Sequence, residues 1–186
     1  AIPLRNGYVL PAGVEGPFAL EKTPDKKLLV SDPSGRIRRT IPVNPGTQLF
    51  LPPIAVPSSG RWVAAGSFEL GKPVQVWIED RDEAEFVIPM ERDRLTQQLA
   101  ASPDGRALAI LSFRRSTDDA PADSPRTQLW DLEAKKLVWE RESAEAGVPV
   151  FSASGRRLAL HRNGKLSVVA VDTGELLYAM SDRHEI

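Results

Sequence analysis

The sequence predicts an all-β chain built from repeated antiparallel meanders of four strands, and three observations carry that prediction. Apolar residues alternate with polar ones along short segments, the two-residue period of a half-buried strand. Small polar turns closed by glycine separate these segments. The same layout then recurs down the chain, which marks a repeat architecture rather than one continuous sheet.

The first copy is the weakest. Phe18 to Asp32 (FALEKTPDKKLLVSD) holds two short alternations around Pro24-Asp25, and Pro33-Ser34-Gly35 leads into a strand over Arg36 to Val43, with no clear fourth strand. The later copies read more plainly: Ile54 to Gly66 (IAVPSSGRWVAAG), Leu99 to Leu111 (LAASPDGRALAIL) and Val150 to His161 (VFSASGRRLALH). Each is a strand, a turn ending at Gly60, Gly105 or Gly155, an Arg, and a second strand. Glycine suits the end of such a turn because it adopts positive φ without steric cost, and Ser or Asp before it can bond the turn backbone.

A third strand follows each hairpin, over Val74 to Ile78 (VQVWI), Thr127 to Leu132 (TQLWDL) and Leu166 to Asp172 (LSVVAVD), and a fourth is expected over Glu175 to Met180. The turn glycines recur at steps of 45 and 50 residues, near the roughly 40 to 45 of a propeller blade with some loop insertion. Approximate repeats therefore run 1–47, 48–94, 95–147 and 148–186, forming a single β-propeller domain or propeller segment of about four blades.

At these residues the chain resembles the WD-repeat family, whose blades show a Ser-Pro-Asp-Gly turn and then an apolar-Trp-Asp-apolar strand ending in Thr-Gly. The third copy matches best, with Ser102-Pro103-Asp104-Gly105 and Leu129-Trp130-Asp131-Leu132. The fourth has Ser154-Gly155 and Val171-Asp172-Thr173-Gly174-Glu175, while the second keeps Trp77 but has Ile78 in the Asp position. The resemblance runs from about Phe18 onward and implies a β-propeller. The Gly-His pair that opens a repeat in the family is missing throughout. The bracing network built on that histidine is then incomplete, and packing alone is expected to join the blades.

Two stretches compete locally. Gln128 to Ala146 (QLWDLEAKKLVWERESAEA) is rich in helix formers, and Glu91 to Ala101 shares the ambiguity. Aligned to the fourth copy, Glu133 to Lys136 falls on a turn, so the repeat context favours strands.

Composition narrows the function classes. The chain has 186 residues, 41% of them hydrophobic and 26% charged, as expected of one unit that can bury a core. Lys plus Arg number 24 and Asp plus Glu 25, so no global field favours nucleic acid or an anionic membrane. The absence of cysteine excludes disulfides, cysteine nucleophiles and thiolate metal sites. No run approaches the roughly 20 apolar residues of a membrane-spanning helix; the most apolar stretches, Leu49 to Val56 and Leu166 to Val171, have strand length. A cytoplasmic soluble protein is expected. The start at Ala1, without Met or a leader, reads as a processed product or a piece of a longer chain.

Catalytic signatures are absent: the sequence holds no phosphate-binding glycine loop, no HExxH, no GxSxG and no EF-hand loop. No catalytic, cofactor-binding or metal-ligating residue is assigned. His161 lies inside an expected strand and His184 in the tail, and a structural or surface role fits both. Asp80, Asp82, Glu83 and Glu85 cluster in an expected turn, where solvated charge is ordinary. Trp62, Trp77, Trp130 and Trp139 recur in strands and are expected to fill gaps between blades.

The longest polar insertion, Phe113 to Arg126 (FRRSTDDAPADSPR), is expected to share one face with loops near Asn44 to Gly46, Glu91 to Leu95 and Glu142 to Gly147. This rim carries Arg92, Arg94, Arg114, Arg115, Arg126 and Arg141. It reads either as solvated loop or as a partner-docking surface, since loops on a rigid scaffold carry function and Arg is enriched at interfaces.

The resulting expectation is a non-catalytic scaffold for protein–protein contacts. The alternatives are an accessory propeller segment of a multidomain enzyme, such as a signalling kinase or a peptidase, and a propeller hydrolase or lactonase. Four blades lie at the lower limit of natural rings. Two open blade faces of roughly 500 Å² each would cost on the order of 10 kcal/mol per face. A protein partner, a second propeller portion or another copy is therefore expected to close the ring.

Overall fold

The computed structural model describes residues 19–23, 27–32, 34–42, 52–78, 84–115, 125–142 and 146–181. Every regular element among them is a strand, and the strands form four separate antiparallel sheets in chain order. The first sheet has three strands, β1 (Ala19–Lys22), β2 (Lys27–Ser31) and β3 (Ile37–Pro42). The second holds β4 (Ile54–Ala55), β5 (Trp62–Ala65), β6 (Val74–Ile78) and β7 (Phe86–Ile88). The third holds β8 (Arg94–Ala101), β9 (Ala107–Arg114), β10 (Arg126–Asp131) and β11 (Lys136–Glu142). The fourth holds β12 (Val148–Phe151), β13 (Arg157–Arg162), β14 (Lys165–Ala170) and β15 (Leu176–Ser181).

Each sheet is a meander in which consecutive strands pair. The hairpin between first and second strands closes on the expected glycine in the second, third and fourth sheets. The N–H of Gly60 donates to Pro57 O at 2.8 Å, that of Gly105 to Ser102 O at 2.9 Å and that of Gly155 to Ser152 O at 2.8 Å. Their φ values of 67°, 71° and 68° explain why glycine stands there. In the third sheet the Ser102 hydroxyl donates to Asp104 and accepts from the Ala107 N–H, which locks the turn.

Of the helix-forming stretch, the described residues 128–142 are β10, a turn and β11, with Gln128 opposite Glu140 and Leu129 opposite Trp139. Ladder bonds and the burial of Leu129 override the local preference of the Glu, Ala and Lys residues. The stretch 91–101 likewise becomes a turn and β8. The fourth strand of the last copy runs Leu176–Ser181, one residue later than the pattern indicated.

The sheets stack in sequence. Val30 and Ile41 of the first pack with Ile54, Val56, Val63 and Trp77 of the second. The opposite face of the second sheet meets Leu99, Ala101, Leu108 and Ile110 of the third. The far face of the third meets Phe151, Leu158, Leu160 and Val169 of the fourth. The leading strands β4, β8 and β12 lie beside one another in that order. Among the described residues the sheets are not closed into a ring.

Register reveals a shared row across the face that each sheet turns to its successor. It reads Ala55, Ala64, Val76, Phe86 in the second sheet and Ala100, Ala109, Leu129, Trp139 in the third. In the fourth sheet it reads Val150, Ala159, Val168, Tyr178. The small residues on the first two strands admit the neighbouring backbone, and the aromatic on the last strand seals the wider outer gap. In the second and third sheets the first three members of the row are buried, with Phe86 and Trp139 packed against the adjoining cores.

Hydrogen bonds also join the sheets, contrary to the expectation that packing alone would do so. Trp62 Nε1 donates to Gly105 O of the third sheet at 2.6 Å, and Trp139 Nε1 donates to Val171 O of the fourth at 2.9 Å. Ser58 Oγ donates to Pro103 O at 3.0 Å. An indole places a large apolar surface and one N–H on the same group, so it fills the gap and satisfies a turn carbonyl together. All four tryptophans lie at sheet boundaries: Trp77 stacks under Arg39 at 5.8 Å, and Trp130 meets Phe86 edge-on at 5.8 Å.

Trp62→Phe keeps most of the ring but strands the Gly105 carbonyl. It should lower stability by about 1 to 2 kcal/mol in urea titration without changing the strand signal in circular dichroism.

Candidate functional site

The expected arginine rim lies at one end of the third sheet, where antiparallel pairing gathers strand ends. Arg94 opens β8 opposite Arg114, which closes β9. Arg126 opens β10 opposite Glu142, which closes β11. The turn entering β8 adds Glu91 and Asp93, and its closure is marked by the Arg94 N–H donating to Glu91 O at 3.0 Å. Residues distant in sequence thus meet because two hairpins end at the same level.

The arginines on this end divide into two groups. Arg94, only 1% exposed, reaches Glu142 Oε1 with Nη2 at 2.5 Å and Glu91 Oε2 with Nε at 3.2 Å. Arg126 spans the same two carboxylates, with Nη1 on Glu91 at 2.6 Å and Nη2 on Glu142 at 2.7 Å. Arg114 Nε lies 2.8 Å from Asp93 as a close ion pair that does not align as a hydrogen bond. These three guanidiniums form a closed network with Glu91, Asp93 and Glu142. Arg92 and Arg115, by contrast, are exposed.

Arg141 belongs to neither group. Its Nη2 donates to Gly174 O of the fourth sheet at 2.8 Å, beside the bond from Trp139 to Val171. Gly174 has no room for a side chain, because a Cβ there would lie 2.9 Å from the Trp139 ring.

The network is covered from the second sheet. The Gly71 N–H donates to Arg94 O at 2.8 Å, and the Thr96 N–H donates to Ser67 O at 3.0 Å. A Cβ on Gly66 would stand 2.6 Å from the Thr96 side chain, and one on Gly71 3.1 Å from the Arg92 Cα. The cover explains the burial of Arg94 and makes the network part of the joint between second and third sheets. A buried guanidinium needs a partner for its charge, and here it has two carboxylates.

The electrostatics follow from these contacts. The hydrogen bond from Arg126 holds Glu91 below the usual carboxylate range, with further help from Arg94. Glu142 is lowered by the same Arg126 bond and by the charge of Arg94. Burial opposes the charge on Arg126, but its bonds to Glu142 and Glu91 outweigh burial and raise its affinity for the proton.

The remaining candidates do not converge. His161 is exposed on β13. Among the described residues no group of three or more His, Cys, Asp or Glu side chains is placed to hold a metal ion. Glu85 pairs with Lys135 of the third sheet at 3.0 Å, while Asp80, Asp82, Glu83 and His184 lie outside the described residues. So do 44–46, 116–124 and 143–145 of the expected rim loops. No helix among the described residues is long and apolar enough to cross a membrane.

Sequence reading singled out the arginines and missed their acceptors. The signal was there in principle: strand ends bearing Arg126 and Glu142 become neighbours once the β10–β11 register is set. Compared with protein-family models and with curated proteins, the chain matches none.

Two outcomes test this division. Arg94→Met leaves Glu142 and Glu91 short of a cation under the second-sheet cover. It should cost about 3 kcal/mol in urea titration, whereas Arg92→Ala and Arg115→Ala should each stay within about 0.5 kcal/mol. The pH dependence has a definite sign. Glu91 and Glu142 have folded pKa values below the ordinary 4.5, so their contribution is complete above that value and is lost as pH falls through the lower folded ones. Thermal melts taken from neutral pH downward should show stability dropping below about pH 4.5, and Arg126→Met should flatten that drop.

Proposed function

We propose that this chain is a WD-repeat-like β-propeller portion that works as a non-catalytic scaffold, presenting the exposed arginines at the end of the third sheet to a protein partner. The repeated row across successive sheet faces is the observation that carries the reading. A face that buries Ala, Ala and Val, or Ala, Ala and Leu, against the next sheet, with an aromatic at the outer strand, is built for stacking around an axis. The side-by-side order of β4, β8 and β12 agrees with that geometry.

The family resemblance of the Ser102 to Gly105 turn and the Leu129 to Leu132 strand points the same way. The fourth sheet repeats the row as Val150, Ala159, Val168 and Tyr178 with its outer members exposed, so a second propeller portion completes the ring.

Rigidity suits this rim to docking. Arg94, Arg114 and Arg126 are held by carboxylates and brace the strand ends, which leaves Arg92 and Arg115 on a stiff platform with their charges toward solvent. Such a platform lowers the ordering cost of docking, and Arg forms forked bonds with an acidic surface.

Cross-linking mass spectrometry of the chain in its native extract tests the reading. Cross-links from acidic partner segments to the 91–93 and 113–115 region are expected, and Arg92→Glu with Arg115→Glu should remove them while leaving the melting temperature near that of the parent. Partner contacts that survive the double reversal unchanged would remove the rim from the proposal.

A further inference from the structure

The last strands of the four sheets differ in how they guard their free edges. An unpaired strand edge is a template for another strand, and proteins blunt it with charge, proline or shortness. In the first sheet β3 carries Arg38, Arg39 and Pro42. In the second β7 has three residues and is followed at once by Pro89. In the third β11 carries Lys136, Glu140, Arg141 and Glu142. β15 has none of these devices: its six residues, Leu-Leu-Tyr-Ala-Met-Ser, hold no charge and no proline.

The exposure of β15 is equally distinct. Every one of its residues is exposed, with Leu177 at 49%, Tyr178 at 55% and Met180 at 49%. The exposure covers both faces. Tyr178 continues the outward row through Val168, whereas Ala179 lies opposite Ser167 on the side turned to the third sheet. One edge of β15 is bonded to β14, and the other is bonded to no strand among the described residues. A face-on partner would account for apolar residues on one side only. An edge-on partner accounts for both sides at once.

We propose that β15 pairs antiparallel with β15 of a second copy of this chain, joining two fourth sheets into one continuous eight-stranded sheet about a twofold axis. Self-complementarity selects a second copy as the partner. Centred on Tyr178, antiparallel self-pairing sets Leu176 opposite Met180, Leu177 opposite Ala179 and Tyr178 opposite its own counterpart. The pairs between Leu176 and Met180 are then all apolar, and Ser181 at the strand end faces Glu175, so no like charges are opposed. Such an isologous contact is also the commonest way in which identical chains close.

The net charge of −1 adds no long-range repulsion between copies. The pairing lies at the outer edge of the fourth sheet and leaves its outward face open, so it stands apart from the scaffold reading. Either can fail without the other.

Sedimentation of the intact chain over micromolar to millimolar concentration tests the proposal. A shift toward twice 20.4 kDa is expected. Tyr178→Lys opposes two like charges at the axis, and Ala179→Lys sets a charge against the partner's Leu177 on the other face; each should weaken the dimer by about tenfold or more. Val150→Lys, on the far strand of the same sheet, should leave it intact.

Hydrogen exchange of the parent protein supplies a readout that needs no variant: β15 amides should slow as concentration rises. A parent chain that stays monomeric, or β15 amides whose exchange is independent of concentration, overturns the proposal. So does a dimer broken by Tyr178→Lys and Val150→Lys but not by Ala179→Lys, because that pattern means packing through the outward face.

Discussion

A four-stranded meander exposes two apolar faces, and neither can be buried within the sheet itself. The structure depends on each sheet covering the face of the one before it. Alanines at 55, 64, 100 and 109 sit where the leading strands approach, and all four are buried. A larger residue there would push the sheets apart and open gaps that dispersion contacts could no longer bridge. The wider separation at the outer strands is filled by Phe86 and Trp139 instead. Small inside and aromatic outside is thus one wedge-shaped solution repeated along the chain.

Polar groups at these junctions are arranged around the same constraint. Bringing turns close to the neighbouring sheet would strand carbonyls at Gly105 and Val171, and two indole N–H groups satisfy them. Where the 66–71 segment comes closest to the third sheet, glycine is required: a Cβ on Gly66 would lie 2.6 Å from the Thr96 side chain. The charged network of Arg94, Arg126, Glu91 and Glu142 extends the joint between second and third sheets to its polar end, exchanging hydration for paired hydrogen bonds under the 66–71 segment.

The two ends of the stack are unequal. The first sheet presents three described strands and meets the second through Val30 and Ile41, with Arg39 laid over Trp77. The fourth carries a complete meander whose outward row and last strand both meet solvent. Exposed side chains therefore divide by chemistry. Arg92 and Arg115 meet solvent at the braced end of the third sheet, and apolar side chains meet it along β15 of the fourth.

By itself the sequence determined the strands and their grouping. Period-two alternation, glycine-closed turns and recurrence are local signals, and they placed β10 and β11 against the helical preference of their residues, while 91–101 stood open between helix and strand until pairing with β9 made it β8. The sequence also contained Asn163-Gly164, a two-residue hairpin signal realised between β13 and β14 with φ of 50° and 71°. What only the tertiary structure decided was which side chains are free. Arg94 and Arg92 are two residues apart and look alike in sequence. One is buried between two carboxylates, and the other faces water, because the register of β10 with β11 and the cover from the second sheet enclose the Arg94 side chain, whereas the cover meets Arg92 only at its backbone. Register and sheet stacking are long-range properties, and the charge of a side chain carries no record of either.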